Sequence, residues 1–312
     1  MGQLVLTVTL NPVLDYVMKV PGPLSGKQTP TPGFEISAGG KGINVSRALK
    51  NLNVPNLAVG FLGGRTGDRI KAILKKEHIH HDFIKIPRET RKSTTIIAGG
   101  KMTRFMGQGP AVGLANQKLF LEKFAARLAQ CRTVVISGRP APGLPDSFYG
   151  KLIALAHARG VKTILDSSGK SFRSALQSRP FLIKPNQEEA EAFLNKKLGS
   201  LSRLKNAAQS FLRSGVSAVI ISLGQEGAIG ADKKGGWFAK APRIKVENTV
   251  GCGDAMLAGF VYHQPGASEE MVEGLRTAVA AGTANCLSLR PGDIDPGQVL
   301  ALRGKVRLQR LS

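Results

Sequence analysis

The stretch Asn248-Thr249-Val250-Gly251-Cys252-Gly253-Asp254 runs directly into the apolar segment Ala255–Val261. Glycines at 251 and 253 let the backbone turn so that several N–H groups point one way at a helix start, where the helix carries partial positive charge. Such a loop suits an anion, phosphate above all. Asp254, in the first turn, is placed to face the same anion and to take a proton from an attacking hydroxyl. The same residue would serve equally as the N-cap of a core helix. This motif alone does not separate the two roles.

Three further segments bear on the question. Ser37-Ala38-Gly39-Gly40-Lys41-Gly42-Ile43-Asn44 leads into a helical pattern. Its glycines permit close backbone approach to a ligand, Lys41 adds a point charge, and Asn44 offers donor and acceptor. It is not a Walker A loop, because Lys41 is followed by Gly42 and the required spacing is missing. Lys184-Pro185-Asn186-Gln187-Glu188-Glu189 stands at a strand end, with Asn186 and Glu189 three apart, as for groups near a hydrated Mg²⁺ or in an ordinary capping arrangement. Ser222-Leu223-Gly224-Gln225-Glu226-Gly227 is a glycine turn after a strand, where α/β sheets place ligands.

Around these motifs, β-branched apolar runs alternate with stretches of helical period. Strands are expected at Leu4–Thr9, Asn56–Phe61, Thr133–Ser137, Lys162–Asp166, Phe181–Lys184 and Ala218–Ser222. Helices are expected at Gly42–Leu52, Asp68–Glu77, Ser147–Arg159, Glu188–Phe193, Arg203–Ser214, Asp254–Val261 and Glu270–Ala284. The alternation predicts βαβ units and a largely parallel sheet covered on both faces. Tyr16–Ile36 and Lys92–Phe105 break the rhythm with strand-like pieces and no helix, and Gly99-Gly100 between Ser93–Ala98 and Lys101–Phe105 is a hairpin signal. These segments predict a small β-sheet projecting from one main domain of residues 1–312, formed by about 13–37 and 90–107.

The 312 residues carry 44 Lys and Arg against 21 Asp and Glu, a formal charge of +23 that attracts anions of any kind. The basic residues are dispersed, although 65–104 is richer, and only 5% of residues are aromatic, so base-stacking platforms are not expected. No apolar run reaches bilayer-spanning length, and Leu4–Leu10 is too short and wrongly flanked for a signal peptide, so a cytosolic protein is expected. Cys131, Cys252 and Cys286 are odd in number and widely separated, implying neither a disulfide framework nor a zinc site. His78, His80 and His81 have no neighbouring carboxylates or thiols in sequence and read as a solvated turn or helix end.

In this order, the motifs resemble the ribokinase-like, or PfkB, carbohydrate kinase superfamily, in particular its 1-phosphofructokinase and tagatose-6-phosphate kinase branch. The resemblance starts at Thr7–Asp15 and passes through Gly39–Asn44, Gly60–Gly67, Glu89-Thr90-Arg91, Leu165–Gly169, Lys184–Glu189 and Ser222–Gly227 to Thr249–Asp254. It implies a three-layer α/β/α core with a β lid over the sugar site. It implies Asp254 as the catalytic base and the backbone of Gly251, Cys252 and Gly253 as the anion hole. Sugar contacts carry over to Asp15, Gly40 and Asn44. Contacts to the substrate's own phosphate carry over to Lys41 and Arg91, with Ser137 close and both cations at the end of the sugar away from Asp254. Lys184, Asn186, Ser222, Gly224 and Gly227 match ATP-side positions, and Glu189 the residue that organises Mg²⁺ through water. The implied reaction is ATP-dependent phosphorylation of a ketohexose phosphate, D-fructose 1-phosphate first, with tagatose 6-phosphate or fructose 6-phosphate as alternatives. The partners are then a sugar phosphate and ATP, with no specific nucleic acid and no membrane, and exposed lid edges can pair two copies into a homodimer. A basic nucleic-acid-binding protein on the same scaffold is the non-enzymatic alternative.

The chain departs from the family pattern in four places. Cys252 stands for the usual anion-hole alanine and Ala255 for the usual following serine. Ser137-Gly138-Arg139-Pro140 replaces the commoner S-G-S-L, and Thr103-Arg104 lacks the usual acidic or amide residue after the threonine.

Overall fold

The computed structural model describes residues 4–22, 26, 28, 30, 33–99, 101–263 and 270–311. The expected apolar strands form the middle of one large sheet. Strand β1 (Leu4–Thr9) lies between β4 (Asn56–Gly63) and β8 (Cys131–Ser137). The parallel array continues to β5 (His81–Ile86) on one side, and through β9 (Lys162–Asp166) and β10 (Leu182–Ile183) to β11 (Ala218–Ser222) on the other. Beyond β11 the sheet becomes antiparallel through β12 (Gly227–Asp232), β13 (Gly235–Lys240) and β14 (Arg307–Leu311), giving ten strands.

Alternation along the central strands divides the core in two. Leu6, Val8, Val134 and Ile136 face one layer, with Phe120 of α3 (Leu114–Arg127), Leu152 of α4 (Phe148–His157) and Phe211 of α7 (Leu201–Arg213). Val5, Val135, Ile164 and Ile220 face the other, with Val45 of α1 (Lys41–Asn51), Leu257 of α8 (Cys252–Tyr262) and Leu275 of α9 (Glu270–Asn285). Burying both faces with such side chains, each stabilising by roughly 1.5–3 kcal/mol, fixes the register of the parallel strands and hence which residues reach their carboxyl ends.

A second sheet of four strands has the order β3-β2-β6-β7, from β2 (Val13–Val20), β3 (Glu35–Gly39), β6 (Lys92–Ala98) and β7 (Lys101–Met106). Leu14 and Ala38 at its root pack with Ile70 and Leu74 of α2 (Gly64–Lys76). Gly99 adopts φ 55°, as a tight connection between β6 and β7 requires, while Gly100 of the hairpin signal lies outside the described residues, as do 23–25, 27, 29, 31 and 32 of the other segment.

The helices α5 (Gly169–Leu176), α6 (Gln187–Leu194) and α10 (Pro296–Arg303) complete the shell. His78 ends the turn after α2 at φ 55° and His81 opens β5; among the described residues no group of three or more His, Cys, Asp or Glu could hold a metal. No helix of the described residues is long and apolar enough to cross a membrane.

Candidate active site

The parallel strands deliver their last residues to one edge of the sheet. Ser137 ends β8 and pairs with Asp166 at the end of β9, Lys184 follows β10, and Asn186 bridges to Ser222 at the end of β11. Asp166 is 1% exposed and binds two lysines: Lys41 Nζ lies 3.1 Å from Oδ1 and Lys184 Nζ 3.5 Å from Oδ2. Burial pushes the Asp166 carboxyl up, but Lys184 and Lys41 outweigh it and hold the group below the usual carboxylate range. Asp166 in turn raises the Lys41 amine above its ordinary value against the effect of burial. Ser137 Oγ is buried with no hydrogen-bond partner among the described residues.

The loop before α8 folds as its glycines predict. Gly251 is the N-cap at φ 84°, and a Cβ there would come within 2.7 Å of Pro291 Cβ, so the position demands glycine on both counts. No side chain caps the helix, which leaves its first N–H groups for an anion. Lys184 Nζ stands 3.0 Å from where a Cβ of Gly253 would be, bringing an ammonium to the same opening. Asp254 is 4% exposed, and its Oδ2 accepts a 2.8 Å hydrogen bond from Asn44 Nδ2. Burial raises its pKa to about 6, with Asp166 adding to the rise and Lys41, the Asn44 bond and Lys184 opposing it. A base of this pKa is charged at neutral pH and still able to receive a proton. If Asp254 acts as that base, kcat falls about tenfold per pH unit below about 6, because the protonated carboxyl cannot accept the proton; a kcat profile flat from pH 7 to pH 5 would contradict it.

The expected substrate residues separate into two groups. Asp15 on β2, Arg91 just before β6 and Arg104 on β7 belong to the small sheet. Arg104 Nη2 donates to Asp15 Oδ1 at 2.8 Å and its Nε to Ser93 Oγ at 3.1 Å. A Cβ on Gly39 would displace the Asp15 carboxylate, and Gly40, at φ 115°, carries the chain from β3 into α1. Arg91 donates only to carbonyls, Asn11 O at 3.2 and 3.0 Å and Gly107 O at 3.2 Å. Burial lowers its pKa, and Asp15 and Arg104 are the charges it feels. Lys41 instead feels Asp166, Asp254 and Glu189. Asp166 holds Lys41 beside Lys184, at the Asp254 end rather than away from it as expected, while Arg91 stands with the small sheet. Asn44 likewise turns its amide to Asp254.

On the other side of Lys184, Asn186 and Glu189 form a reciprocal capping box at the start of α6: Glu189 N donates to Asn186 Oδ1 at 2.7 Å and Asn186 N to Glu189 Oε2 at 2.9 Å. The capping reading of this pair holds, and the cap leaves Glu189 within electrostatic reach of Lys41. Gly224 (φ 58°) and Gly227 (φ 113°) frame the turn after β11.

Cys252 opens α8 with its Sγ 2.8 Å from Sγ of Cys286, just beyond α9, although the two are 34 residues apart; both are free thiols. The contact with Cys286, then burial, pushes the Cys252 thiol up, and Cys286 is lowered in return. The side chain of Cys252 thus points to Cys286 beyond α9, away from the loop opening. Cys252→Ala is therefore expected to keep kcat within about threefold of wild type, because N–H donors supply anion-hole stabilisation; a loss above about a hundredfold would assign the thiol itself a role.

Asp166, Arg104, Cys286 and Arg47, a buried arginine of α1, were not singled out by motif reading as site residues. Asp166 alone carried a signal, an acidic residue closing the buried strand Lys162–Asp166.

A ribokinase-like layered core, a small sheet beside its carboxyl edge and a glycine helix start holding a buried carboxylate define a carbohydrate kinase. The pfkB family carbohydrate kinase model matches residues 8–296. The chain is 39% identical over 289 residues to the 1-phosphofructokinase of Borreliella burgdorferi, covering 91% of this chain and 92% of that one. It is 33% identical over 302 residues to the tagatose-6-phosphate kinase of Staphylococcus epidermidis, covering 94% and 95%. Among solved structures, phosphofructokinase-2 of Escherichia coli in complex with potassium superposes with a TM-score of 0.88 at 29% identity, covering 98% of this chain and 99% of that one. The chain belongs to the pfkB family of carbohydrate kinases.

Proposed function

We propose that the protein phosphorylates D-fructose 1-phosphate to fructose 1,6-bisphosphate with ATP, with Asp254 as the base. The observation that carries this reading is the Asp254 carboxylate, buried behind an uncapped helix start, with Asn44 on Oδ2 and Lys41 and Lys184 close by. The attacking primary hydroxyl gives its proton to Asp254 as its oxygen bonds to the γ-phosphorus and the bond to the ADP oxygen breaks. The backbone of Gly251, Cys252 and Gly253 receives the equatorial oxygens, and Lys184 and Lys41 offset charge developing there. Asp166 keeps both lysines in place. Lys184, Asn186, Ser222, Gly224 and Gly227 line the ATP side.

The residues also fit Mg²⁺. No cage of carboxylates exists among the described residues, as suits an ion that keeps several waters and rides on nucleotide phosphates. Glu189 would hold its hydration shell, and the ion when bound would offset phosphate charge.

On the sugar side the small sheet acts as a lid. Asp15 and Gly40 address the sugar hydroxyls, Ser137 stands at the end of β8, and Arg91 faces the substrate's own phosphate. Fructose 1-phosphate and tagatose 6-phosphate both present a primary hydroxyl at the end away from the phosphate, so one geometry serves either. The relatives named 1-phosphofructokinase at 39% and 33% identity favour fructose 1-phosphate. Ranking kcat/KM for fructose 1-phosphate, tagatose 6-phosphate and fructose 6-phosphate by ADP release tests the choice: fructose 1-phosphate should lead, and a lead for tagatose 6-phosphate would reassign the substrate. The outer strand β7 is exposed along its length, with Met102, Phe105 and Met106 on show, which suits pairing of two lids in a homodimer.

A further inference from the structure

We infer that Arg47 is a positioning residue of this reaction: its guanidinium fixes the amide of Asn44 so that the amino group, and not the oxygen, meets Asp254. The inference rests on Asp254 being the base. Arg47 lies in the middle of α1, 3% exposed, and each of its nitrogens has an acceptor. Nε donates to Glu77 Oε2 at 2.9 Å, Nη2 to Ala38 O at 2.7 Å, and Nη1 to Pro291 O at 2.7 Å and Asn44 Oδ1 at 3.3 Å. These partners come from the end of α2, the root of β3 and the turn packed against Gly251, so the guanidinium is held from three sides.

A guanidinium can only donate, so the group it presents to Asn44 must meet an oxygen. That leaves the Asn44 amino group to donate to Asp254 Oδ2 at 2.8 Å. An N–H on Oδ2 favours the charged carboxylate and leaves Oδ1 as the oxygen that takes the substrate proton. The other groups bearing on Asp254 are Lys41 of α1 and Lys184 after β10, which favour its charge, and Asp166 of β9, which opposes it together with burial. Without Arg47 the amide is free to reverse. Its oxygen would then face the carboxylate, and Asp254 would take up a proton to restore a hydrogen bond. A purely structural arginine, tying α2 to β3 and the Pro291 turn, would have no such consequence.

The test is a titration of the Asp254 side-chain carbon by ¹³C NMR in wild type, Arg47→Lys and Glu77→Gln, with pH profiles of kcat alongside. Lysine keeps the charge but cannot span the same acceptors, whereas Glu77→Gln removes an ion pair from the guanidinium without touching Asn44. Arg47→Lys is expected to raise the midpoint by about one pH unit or more, the worth of one hydrogen bond to a charged group. The acid limb of kcat should move with it, and KM for ATP should stay put. Glu77→Gln should move the midpoint by less than half as much. Equal shifts in the two variants, or none in Arg47→Lys, would overturn the inference. Should Arg47→Lys fail to fold, the wild-type Asn44 side-chain amide decides: its ¹⁵N signal must respond with the Asp254 midpoint, and an unresponsive amide overturns the inference. Because the carboxyl is read directly, an active Asp254→Asn would sink the base assignment while leaving this result interpretable, and an inert midpoint beside a dead Asp254→Asn would sink the Arg47 role alone.

Discussion

Asp254→Asn is expected to lower kcat by on the order of 10²–10⁴, the usual worth of a positioned base, while ATP and sugar phosphate bind nearly as before. The substitution keeps the shape of the side chain and its place in the first turn of α8. It removes the proton acceptor and the negative charge that faces Lys41 and Lys184. The uncapped N–H groups and both lysines survive, so the remaining turnover measures what anion stabilisation and orientation achieve without a base. Steady-state kinetics with equilibrium binding of both substrates checks this. A variant keeping more than about a tenth of wild-type kcat would reduce Asp254 to a buried helix-end residue.

Arg91→Ala is expected to cut kcat/KM for fructose 1-phosphate by roughly 10²–10³, or about 3–4 kcal/mol, in line with two charge-assisted hydrogen bonds. Among the described residues Nε, Nη1 and Nη2 of Arg91 go to backbone carbonyls and to no carboxylate, and burial works against its charge. Asp15 supports that charge and Arg104 opposes it. Asp15 is already engaged by Arg104, and a bidentate guanidinium suits a further anion such as phosphate. Free fructose has nothing to offer Arg91, so its slow turnover should hardly change in the variant. Equal losses for fructose and fructose 1-phosphate would mean that Arg91 only braces Asn11 and Gly107.

Much of this architecture could be read from residue order. The β-branched runs at 4–9, 162–166 and 218–222 became strands at the same bounds, because each is buried on both faces and has no competing period. Helix α3 is not legible although Gln117, Phe120 and Phe124 share one buried face, because a polar Gln117 sits on that face while the apolar Leu114 and Leu119 are exposed. Strand β5 and the antiparallel β12 to β14 are not legible either, because β12 and β13 are glycine-rich and β5 and β14 carry charged residues along their length. The Asp254 loop was legible because its chemistry is local, glycines and a carboxylate within four residues. What surrounds it was not. Lys41 reads as a sugar-phosphate ligand from its place in the glycine loop, and only the sheet reveals Asp166, 125 residues on, that draws it to Lys184. Nothing local marks Arg47, whose partners Pro291 and Glu77 come from distant parts of the chain. Arg104 seemed a mere departure in the lid pattern, and it meets Asp15 only because β2 and β7 flank β6 in one small sheet.

This kinase is expected to recognise a sugar that already carries a phosphate. That expectation is tested most directly by wild-type ADP release with fructose 1-phosphate beside free fructose, tagatose and ribose at matched concentrations. Efficient turnover of the phosphorylated ketohexose is expected, with a kcat/KM for every free sugar lower by at least about 10³, because remote binding energy at the phosphate also orients the reacting hydroxyl. A free sugar turned over as well as fructose 1-phosphate would contradict the account and place the protein with the kinases of unphosphorylated sugars.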